Sequence, residues 1–110
     1  MSIKQYIRTV QDYPIKGVNF YDVNSLFASD IWTKEVQNLA DEIQDRLEFL
    51  PTHIVGIESR GFVLGAALSQ DLNIPFVMVR KKGSKYPGRL LRESYKLEYG
   101  KATLTLQQGI

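Results

Sequence analysis

Apolar residues recur every three or four positions between residues 31 and 50, and no other regular pattern in the chain is as long. The stripe consists of Trp32, Val36, Leu39, Ile43, Leu47 and Leu50. In an α-helix this spacing places all of them on one face, with charged side chains on the other faces. Ser29 or Asp30 can cap the start, and Pro51 cannot continue the helix. The pattern therefore predicts a helix over residues 31–50 that packs against a core.

Two apolar runs, residues 52–57 and 74–79, predict neighbouring buried strands. The segment between them, residues 60–72, is predicted to be a helix. Gly61 and Gly65 stand four positions apart in it and are followed by two alanines, so one face of the helix can approach a sheet closely. A strand, a helix and a second strand in this order are typical of a parallel βαβ unit, and we therefore predict an α/β fold.

The remaining segments are shorter. We predict a short helix over 3–10, a loop over 12–17, an extended or irregular segment over 18–22, a polar loop over 81–92 and a hairpin over 94–107. Apolar and polar residues alternate in the hairpin, as in a half-buried sheet, and Gly100–Lys101 suits a two-residue turn.

Composition removes several classes of protein. The chain has 110 residues, 44% of them hydrophobic, with no Cys and a single His, His53. This composition indicates one globular domain over residues 1–110 and excludes disulfide scaffolds and Cys-ligated zinc sites. A run of about 18 apolar residues and an apolar signal core are both absent from the sequence. We therefore predict a cytoplasmic protein without a membrane partner.

The formal net charge of +2 hides a segregation of charge. Residues 1–75 carry a net −4 and residues 76–110 a net +6, and all six charged residues from Arg80 to Arg92 are basic. Such segregation indicates an anionic partner.

Two polar segments follow the predicted strands. Ligands bind at the carboxyl ends of the strands in an open parallel sheet, where Glu58–Gly61 and Arg80–Gly83 both fall. Helix-start amides, the Ser59 hydroxyl and the basic side chains favour negative charge, so a phosphate or pyrophosphate site is predicted. The alternative is that the first segment only caps a helix and the second is a solvated loop. Phe20 is likewise either a core residue or a stacking surface.

Four motifs, in this order along the chain, resemble those of the adenine phosphoribosyltransferases. They are Asp12–Val23, Glu58–Phe62, Val79–Gly83 and Ser94–Gly100. The resemblance implies a type I phosphoribosyltransferase-like fold, with a parallel sheet flanked by helices and a hood loop with a β-hairpin. Residues 1–30 would form the hood and base-binding region. Residues 31–110 would form a partial core that includes a mobile hairpin at 81–107.

The same resemblance implies a reaction and its participants. Adenine and phosphoribosyl pyrophosphate (PRPP) would give AMP and pyrophosphate, which is a purine-salvage reaction. Mg²⁺ would be carried with PRPP and the protein would supply no metal ligand. The enzyme would be a homodimer, with no nucleic-acid partner.

Residue roles follow from the matched motifs. Phe20 would stack on the adenine ring, and the backbones of Asn19 and Tyr21 would bond to the edge of the base. The pyrophosphate ligands would be Ser59, Arg60, Gly61, Arg80, Lys81 and Lys85, with the Glu58–Ser59 peptide bond in the cis form. Glu98, in a loop that closes over the site, would assist proton transfer as the catalytic residue. Tyr95 and Tyr99 would belong to this mobile loop.

The chain departs from the family pattern at several positions. Asn19 stands where an apolar residue is usual and Tyr21 where Arg is usual, which leaves the preferred purine base open. The segment Gly83–Pro87 is one residue longer than the common form. The Asp-Asp strand and Thr-Gly-rich phosphate loop of the family would follow the hairpin, beyond Ile110. We therefore expect an N-terminal portion of such an enzyme that does not turn over alone.

Two other functions are open at this stage. A non-catalytic member of the same fold that senses a purine nucleotide would keep the anion-binding motifs. A nucleic-acid-binding module would use the basic segment 80–92, but Tyr86 is the only aromatic residue in that loop, and no helix-turn-helix or RNA-binding signature is present.

Overall fold

The computed structural model describes residues 3–81, 83, 85–97 and 100–110. The chain divides into two compact units, Met1–Asn38 and Leu39–Ile110. In chain order the strands and helices are β1 (Arg8–Val10), β2 (Phe20–Asp22), α1 (Asn24–Phe27), α2 (Ile31–Arg46), β3 (Ile54–Ile57), α3 (Arg60–Leu72), β4 (Phe76–Lys81), β5 (Leu90–Leu97) and β6 (Gly100–Gln107).

The first unit begins with a 3₁₀-helix and an antiparallel pair of strands. The 3₁₀-helix spans Ile3–Tyr6, and β1 then pairs with β2. The Ser25 hydroxyl accepts a hydrogen bond from the Arg8 amide at 3.0 Å and donates one to the Tyr6 carbonyl at 2.6 Å. The helix predicted over residues 3–10 is therefore wrong beyond Tyr6, because pairing with a distant strand overrides the local apolar spacing.

Helix α2 carries the predicted apolar stripe but ends at Arg46, before the predicted end. Val36 and Ala40, in its middle, are buried. The apolar residues after the helix are not buried: Phe49 is 80% exposed, and Leu47 and Leu50 are also exposed. The helix ends where burial of the stripe ends, and Pro51 does not terminate it.

The predicted βαβ unit is confirmed. β3 and β4 are parallel, with Ile54 opposite Phe76 and Ile57 opposite Val79, and α3 connects them. The helix ends at Asn73 in the left-handed conformation. Buried Leu68, Leu72 and Val79 belong to the core of this unit. Burial of the first strand was predicted wrongly: Val55 is 56% and Ile57 46% exposed. Successive strand residues point to opposite faces, so Val55 and Ile57 lie on the face opposite to that of buried Gly56, which packs on α3.

The hairpin extends the parallel pair into a mixed four-stranded sheet in the order β3-β4-β6-β5. β6 is antiparallel to β4 at Arg80↔Thr105 and Lys81↔Leu104. Leu97 pairs with Gly100, so Gly100 and Lys101 lie in β6 and the predicted turn at these residues is wrong. Cross-strand pairs set the register here rather than the turn preference of glycine. The predicted loop over 81–92 is also shorter, because its ends lie in β4 and β5. No helix in the described part of the chain is long and apolar enough to cross a membrane.

Candidate functional site

The two polar segments that follow β3 and β4 lie side by side. Ile57 and Val79 are partners in the parallel register, and the Glu58 amide donates to the Val79 carbonyl at 2.9 Å. Glu58–Gly61 and Arg80–Lys81 therefore meet at the carboxyl edge of the sheet. This is the edge at which the sequence predicts an anion site.

Ser59, Arg60 and Gly61 form the start of α3. Ser59 is the N-cap residue, but its side chain makes no capping hydrogen bond, and the peptide bond before it is cis. The first amides of a helix have no partner within the helix and carry its positive dipole end. Ser59 and Arg60 are exposed at this end. The segment can thus offer an anion amide groups, a hydroxyl and a guanidinium.

Arg80 is bonded to several groups of the protein itself. Its Nη1 donates to the Lys85 carbonyl at 3.0 Å, and its guanidinium carbon lies 5.4 Å from the centre of the Tyr86 ring. Its Nε is buried, 3.6 Å from Oε1 of Glu58. The Tyr86 hydroxyl donates to the Met78 carbonyl at 2.7 Å, so the loop after β4 lies back on that strand.

Lys81 is held by its backbone while its side chain is exposed. The amide donates to Oε1 of Glu58 at 3.0 Å. Lys85 is exposed as well, in the loop between β4 and β5. The second unit therefore brings Ser59, Arg60, Gly61, Arg80 and Lys81 to one edge of its sheet, with Lys85 in the adjoining loop.

The three residues predicted to bind the base belong to the first unit. The loop before them is closed by the Asp12 carboxylate, which accepts from the Gly17 amide at 2.8 Å. Phe20 is half-buried, with its ring 5.2 Å from that of Tyr13 in an edge-on arrangement. Asn19 is exposed just before β2, and Tyr21 is 61% exposed. Neighbouring strand residues point to opposite faces, so the side chains of Phe20 and Tyr21 face different ways.

Tyr21 opens onto a cavity of its own. The cavity has a volume of about 430 Å³ and is lined by Lys4, Ile7, Thr9 and Tyr21. Thr9 is the direct strand partner of Tyr21, so both side chains lie on the same face of the β1–β2 pair.

Two of the predicted residues, Glu98 and Tyr99, lie outside the described residues, as does Lys82 of the Val79–Gly83 motif. Tyr95 is described, in β5 opposite Ala102, and its side chain is partly exposed. The roles of these residues and of the hairpin stay predictions.

Sequence reasoning missed three residues that build this edge. They are Glu58, Tyr86 and Thr105, whose hydroxyl donates to the Arg80 carbonyl at 3.0 Å. Glu58 had a signal, because it is an acidic residue directly after a strand and opposite a basic segment. The contact of Thr105 with Arg80 depends on the register of β6, which the sequence pattern alone does not give.

The family model of the phosphoribosyl transferase domain matches residues 22–96, which is most of the chain. The chain belongs to the phosphoribosyl transferase family. It is 44% identical to the adenine phosphoribosyltransferase of Rhodospirillum rubrum, over 99% of this chain and 62% of the relative. It is 45% identical to that of Rhodospirillum centenum, over 97% of this chain and 61% of the relative. The chain thus spans about three fifths of the length of these curated relatives.

Solved structures of the phosphoribosyl transferase family carry the same fold. The adenine phosphoribosyltransferase of Thermoanaerobacter pseudethanolicus matches 97% of this chain and 60% of its own, with a TM-score of 0.82 and 33% identity. An enzyme of this type from Giardia lamblia, complexed with 9-deazaadenine, gives the same coverages and TM-score at 32% identity. The predicted family and α/β fold class are therefore confirmed, with the sheet mixed rather than wholly parallel.

Proposed function

We propose that the protein acts as an adenine phosphoribosyltransferase, which converts adenine and PRPP to AMP and pyrophosphate. The observation that supports the proposal is that Ser59–Gly61 and Arg80–Lys81, two segments with cationic side chains and amide groups, meet at one edge of a phosphoribosyl transferase sheet. The relatives named adenine phosphoribosyltransferase supply the choice of base.

The chemistry explains why the site is cationic. The bond from C1′ of the ribose to the pyrophosphate oxygen breaks as adenine N9 bonds to C1′, and negative charge develops on the departing pyrophosphate. Fixed cations and amides at that position stabilise the transition state. Arg60 and Arg80 can grip two oxygens each, whereas Lys81 and Lys85 act as point charges. Ser59 and the amide of Gly61 complete the cradle.

The base side has three functions to supply. Phe20 stacks on adenine, while the backbones of Asn19 and Tyr21 read its edge. Glu98 assists removal of the proton that adenine loses when N9 bonds to C1′. Tyr95 and Tyr99 move with the hairpin, whose closure keeps out the water that would hydrolyse PRPP.

PRPP enters as its magnesium complex, so the metal is part of the substrate. Mg²⁺ in such sites is held mainly by substrate phosphates and water. Within the described ranges, no group of three or more His, Asp or Glu side chains is arranged to hold a metal. Glu58, the carboxylate at the strand edge, is already engaged with Arg80 and Lys81.

A homodimer in the cytoplasm completes the proposal. A second copy would bring part of the cationic surface of Arg80, Lys81 and Lys85 to the pyrophosphate. Sedimentation equilibrium tests this proposal, because a mass of a single chain at micromolar concentration contradicts it.

The deciding experiment is an assay of AMP formation from labelled adenine and magnesium PRPP, made with the polypeptide at the full length that its gene encodes. Guanine and hypoxanthine serve as competing bases, since Asn19 and Tyr21 depart from the usual residues. We expect AMP to form and adenine to be preferred. Binding of a purine nucleotide without turnover would instead favour the non-catalytic alternative.

Two variants separate the roles within that assay. Glu98→Ala should lower kcat more than it weakens adenine binding. Phe20→Ala should weaken adenine binding by about 1–3 kcal/mol, the value of base stacking on an aromatic ring. Phe49→Ala is the matched control, because Phe49 is 80% exposed. Unchanged AMP synthesis in both variants would show that these residue roles are wrong.

A further inference from the structure

Glu58 is an unexpected residue at this edge. A carboxylate beside a site for pyrophosphate repels the ligand, yet Glu58 lies between the two segments that would bind it. Its side chain is three-quarters buried and that of Arg80 about two-thirds, with exposed fractions of 25% and 31%. Partly buried charge pairs of this kind are screened less by water and salt than surface pairs, so the two side chains attract each other more strongly than an exposed pair would.

Glu58 is fastened to β4 through both its backbone and its side chain. The amide donates to the Val79 carbonyl, and Oε1 accepts from the Lys81 amide at 3.0 Å. The same Oε1 lies 3.6 Å from Nε of Arg80. One carboxylate at the ends of two parallel strands therefore accepts a hydrogen bond from the Lys81 backbone and forms an ion pair, without a hydrogen bond, with the buried Nε of Arg80.

Arg80 extends this connection into the following loop. Its Nη1 donates to the Lys85 carbonyl at 3.0 Å, and its guanidinium lies against the Tyr86 ring. The chain from Glu58 through Arg80 to Lys85 thus links three of the segments that carry the predicted pyrophosphate ligands. Removing the carboxylate would remove the side-chain contacts that join the first of these segments to the other two.

We propose that Glu58 is a positioning residue for pyrophosphate, which holds the start of α3, the end of β4 and the loop after β4 in one arrangement. This inference rests on the proposed function, because it assumes that pyrophosphate or PRPP binds at this edge. In this arrangement the Glu58 carboxylate repels the ligand, which weakens binding. The cationic groups are, however, ordered before the ligand arrives, so less entropy is lost on binding.

The test compares Glu58→Gln and Glu58→Ala with the unchanged protein. Calorimetry with inorganic pyrophosphate, with and without Mg²⁺, gives its Kd, and the AMP assay gives KM for PRPP and kcat. If Glu58 positions the site, Glu58→Ala weakens pyrophosphate binding about 10- to 100-fold, by analogy with the loss seen when residues that orient the ligands of a metal are removed. Glu58→Gln keeps an acceptor for the Lys81 amide, so its Kd for pyrophosphate should lie between those of the unchanged protein and Glu58→Ala. Adenine binding should be unchanged in both variants.

The opposite sign overturns the proposal. If Glu58 is only a nearby negative charge, both variants bind pyrophosphate as tightly as the unchanged protein or more tightly. Asp71→Asn is the matched control for the change in charge, because Asp71 is exposed eleven residues along α3 from Arg60, about 16 Å at the rise of a helix. It should leave every constant unchanged.

A second measurement guards against a variant that fails to fold. Hydrogen exchange of the Lys81 amide should quicken in Glu58→Ala and stay slow in Glu58→Gln, while exchange within α3 stays as in the unchanged protein. If the unchanged protein binds no pyrophosphate, the proposed function fails and this inference with it. If it binds pyrophosphate and the Glu58 variants bind no more weakly, the inference fails alone.

Discussion

Phe76 occupies the space that two glycines leave between β3 and α3. A Cβ built on Gly65 would lie 2.5 Å from Cε1 of Phe76, and one on Gly56 would lie 2.5 Å from the Gly61 carbonyl oxygen. Phe62 packs on the same ring edge-on, with 6.2 Å between ring centres. Gly65, which the sequence pattern singles out, and Gly56, which it does not, thus make room for an aromatic ring that the pattern did not predict.

Gly65→Ala should therefore destabilise the protein although alanine favours helices. The ring must move out of a packed position, and overpacking of this kind costs about 1–3 kcal/mol in free energy of unfolding. Urea denaturation measures it.

Gly61→Ala is the matched control within the same helix. A Cβ there meets nothing closer than 3.5 Å. Its free energy of unfolding should be unchanged or higher by up to about 1 kcal/mol, the difference in helix propensity. Equal losses in the two variants would contradict the packing explanation.

Asp22 makes the first unit sensitive to acid. The hydrogen bond from Arg8, 2.5 Å between Nη2 and Oδ2, is the main cause that holds the pKa of Asp22 below its ordinary value of 3.8, and the Asn24 amide adds to it. The folded state therefore binds its proton less readily than the unfolded chain. The resulting stability is present above pH 3.8 and is lost as pH falls through the lowered pKa.

An NMR titration of the Asp22 carboxyl carbon checks this prediction. Arg8→Gln should return the pKa of Asp22 toward its ordinary value and reduce the acid sensitivity of the first unit. Lys16→Gln removes the same charge from an exposed residue of this unit and should leave the titration of Asp22 as it is. A titration unmoved by Arg8→Gln would show that the ion pair is not its cause.

The role of a single residue could be predicted where the residue belongs to a matched motif or follows a strand at the edge where ligands bind. Ser59 and Lys81 were found because they belong to the polar segments that follow predicted strands. Glu58 was missed although its place after a strand gave a signal, and Tyr86 was missed because its contact with Arg80 depends on how the loop after β4 lies on that strand.

Among the elements, β6 is joined to β4 by strand pairing and by one buried side chain. In the described part of the chain, β6 pairs with β4 at Arg80↔Thr105 and Lys81↔Leu104, and the Thr105 hydroxyl donates to the Arg80 carbonyl. The β5–β6 hairpin itself is paired along its full length, from Leu90 opposite Gln107 to Leu97 opposite Gly100. The junction with β4 therefore depends in part on the Thr105 side chain.

Thr105→Val should weaken that junction with little change in shape. Loss of one buried hydrogen bond lowers the free energy of unfolding by about 1 kcal/mol. Amide exchange at Arg80 and Thr105 should quicken relative to that at the far end of the hairpin. Thr103→Val, on the same strand, removes only an exposed hydrogen bond to the Ser94 hydroxyl and should have a smaller effect. Equal quickening in both variants would contradict the special role of Thr105.

The elements that the sequence predicted well are those whose partners lie nearby in the chain. α3 has the predicted bounds because the strands on which it packs, β3 and β4, lie directly before and after it in the chain. β1 was predicted as helix, since its partner β2 is separated from it by a loop. The exposure of Val55 was missed because it depends on which face of β3 packs on α3, and an uninterrupted apolar run does not show this.

At the scale of the whole molecule, the segregated charge sets how binding responds to salt. Residues 76–110 carry a net +6 and include Arg80, Lys81 and Lys85. Raising ionic strength from 0.01 to 0.15 M shortens the screening length from about 30 to about 8 Å. Pyrophosphate binding should weaken several-fold over this range while binding of uncharged adenine stays constant.

Calorimetry at several salt concentrations checks this prediction. Lys81→Gln should flatten the salt dependence of pyrophosphate binding more than Lys101→Gln, which removes an exposed charge of the same segment on β6. Equal flattening would mean that general charge, and not the strand edge, attracts the ligand.

The attachment of β6 to β4 also bears on the order in which the second unit folds. The β5–β6 hairpin joins adjacent stretches of chain, with Leu97 opposite Gly100, whereas the parallel pair joins Ile54 to Phe76 and the Thr105 hydroxyl bonds to a carbonyl 25 residues away. Loop-closure entropy disfavours early formation of the contacts that join distant residues. We therefore expect the hairpin to form before the strand edge that carries Arg80 is complete.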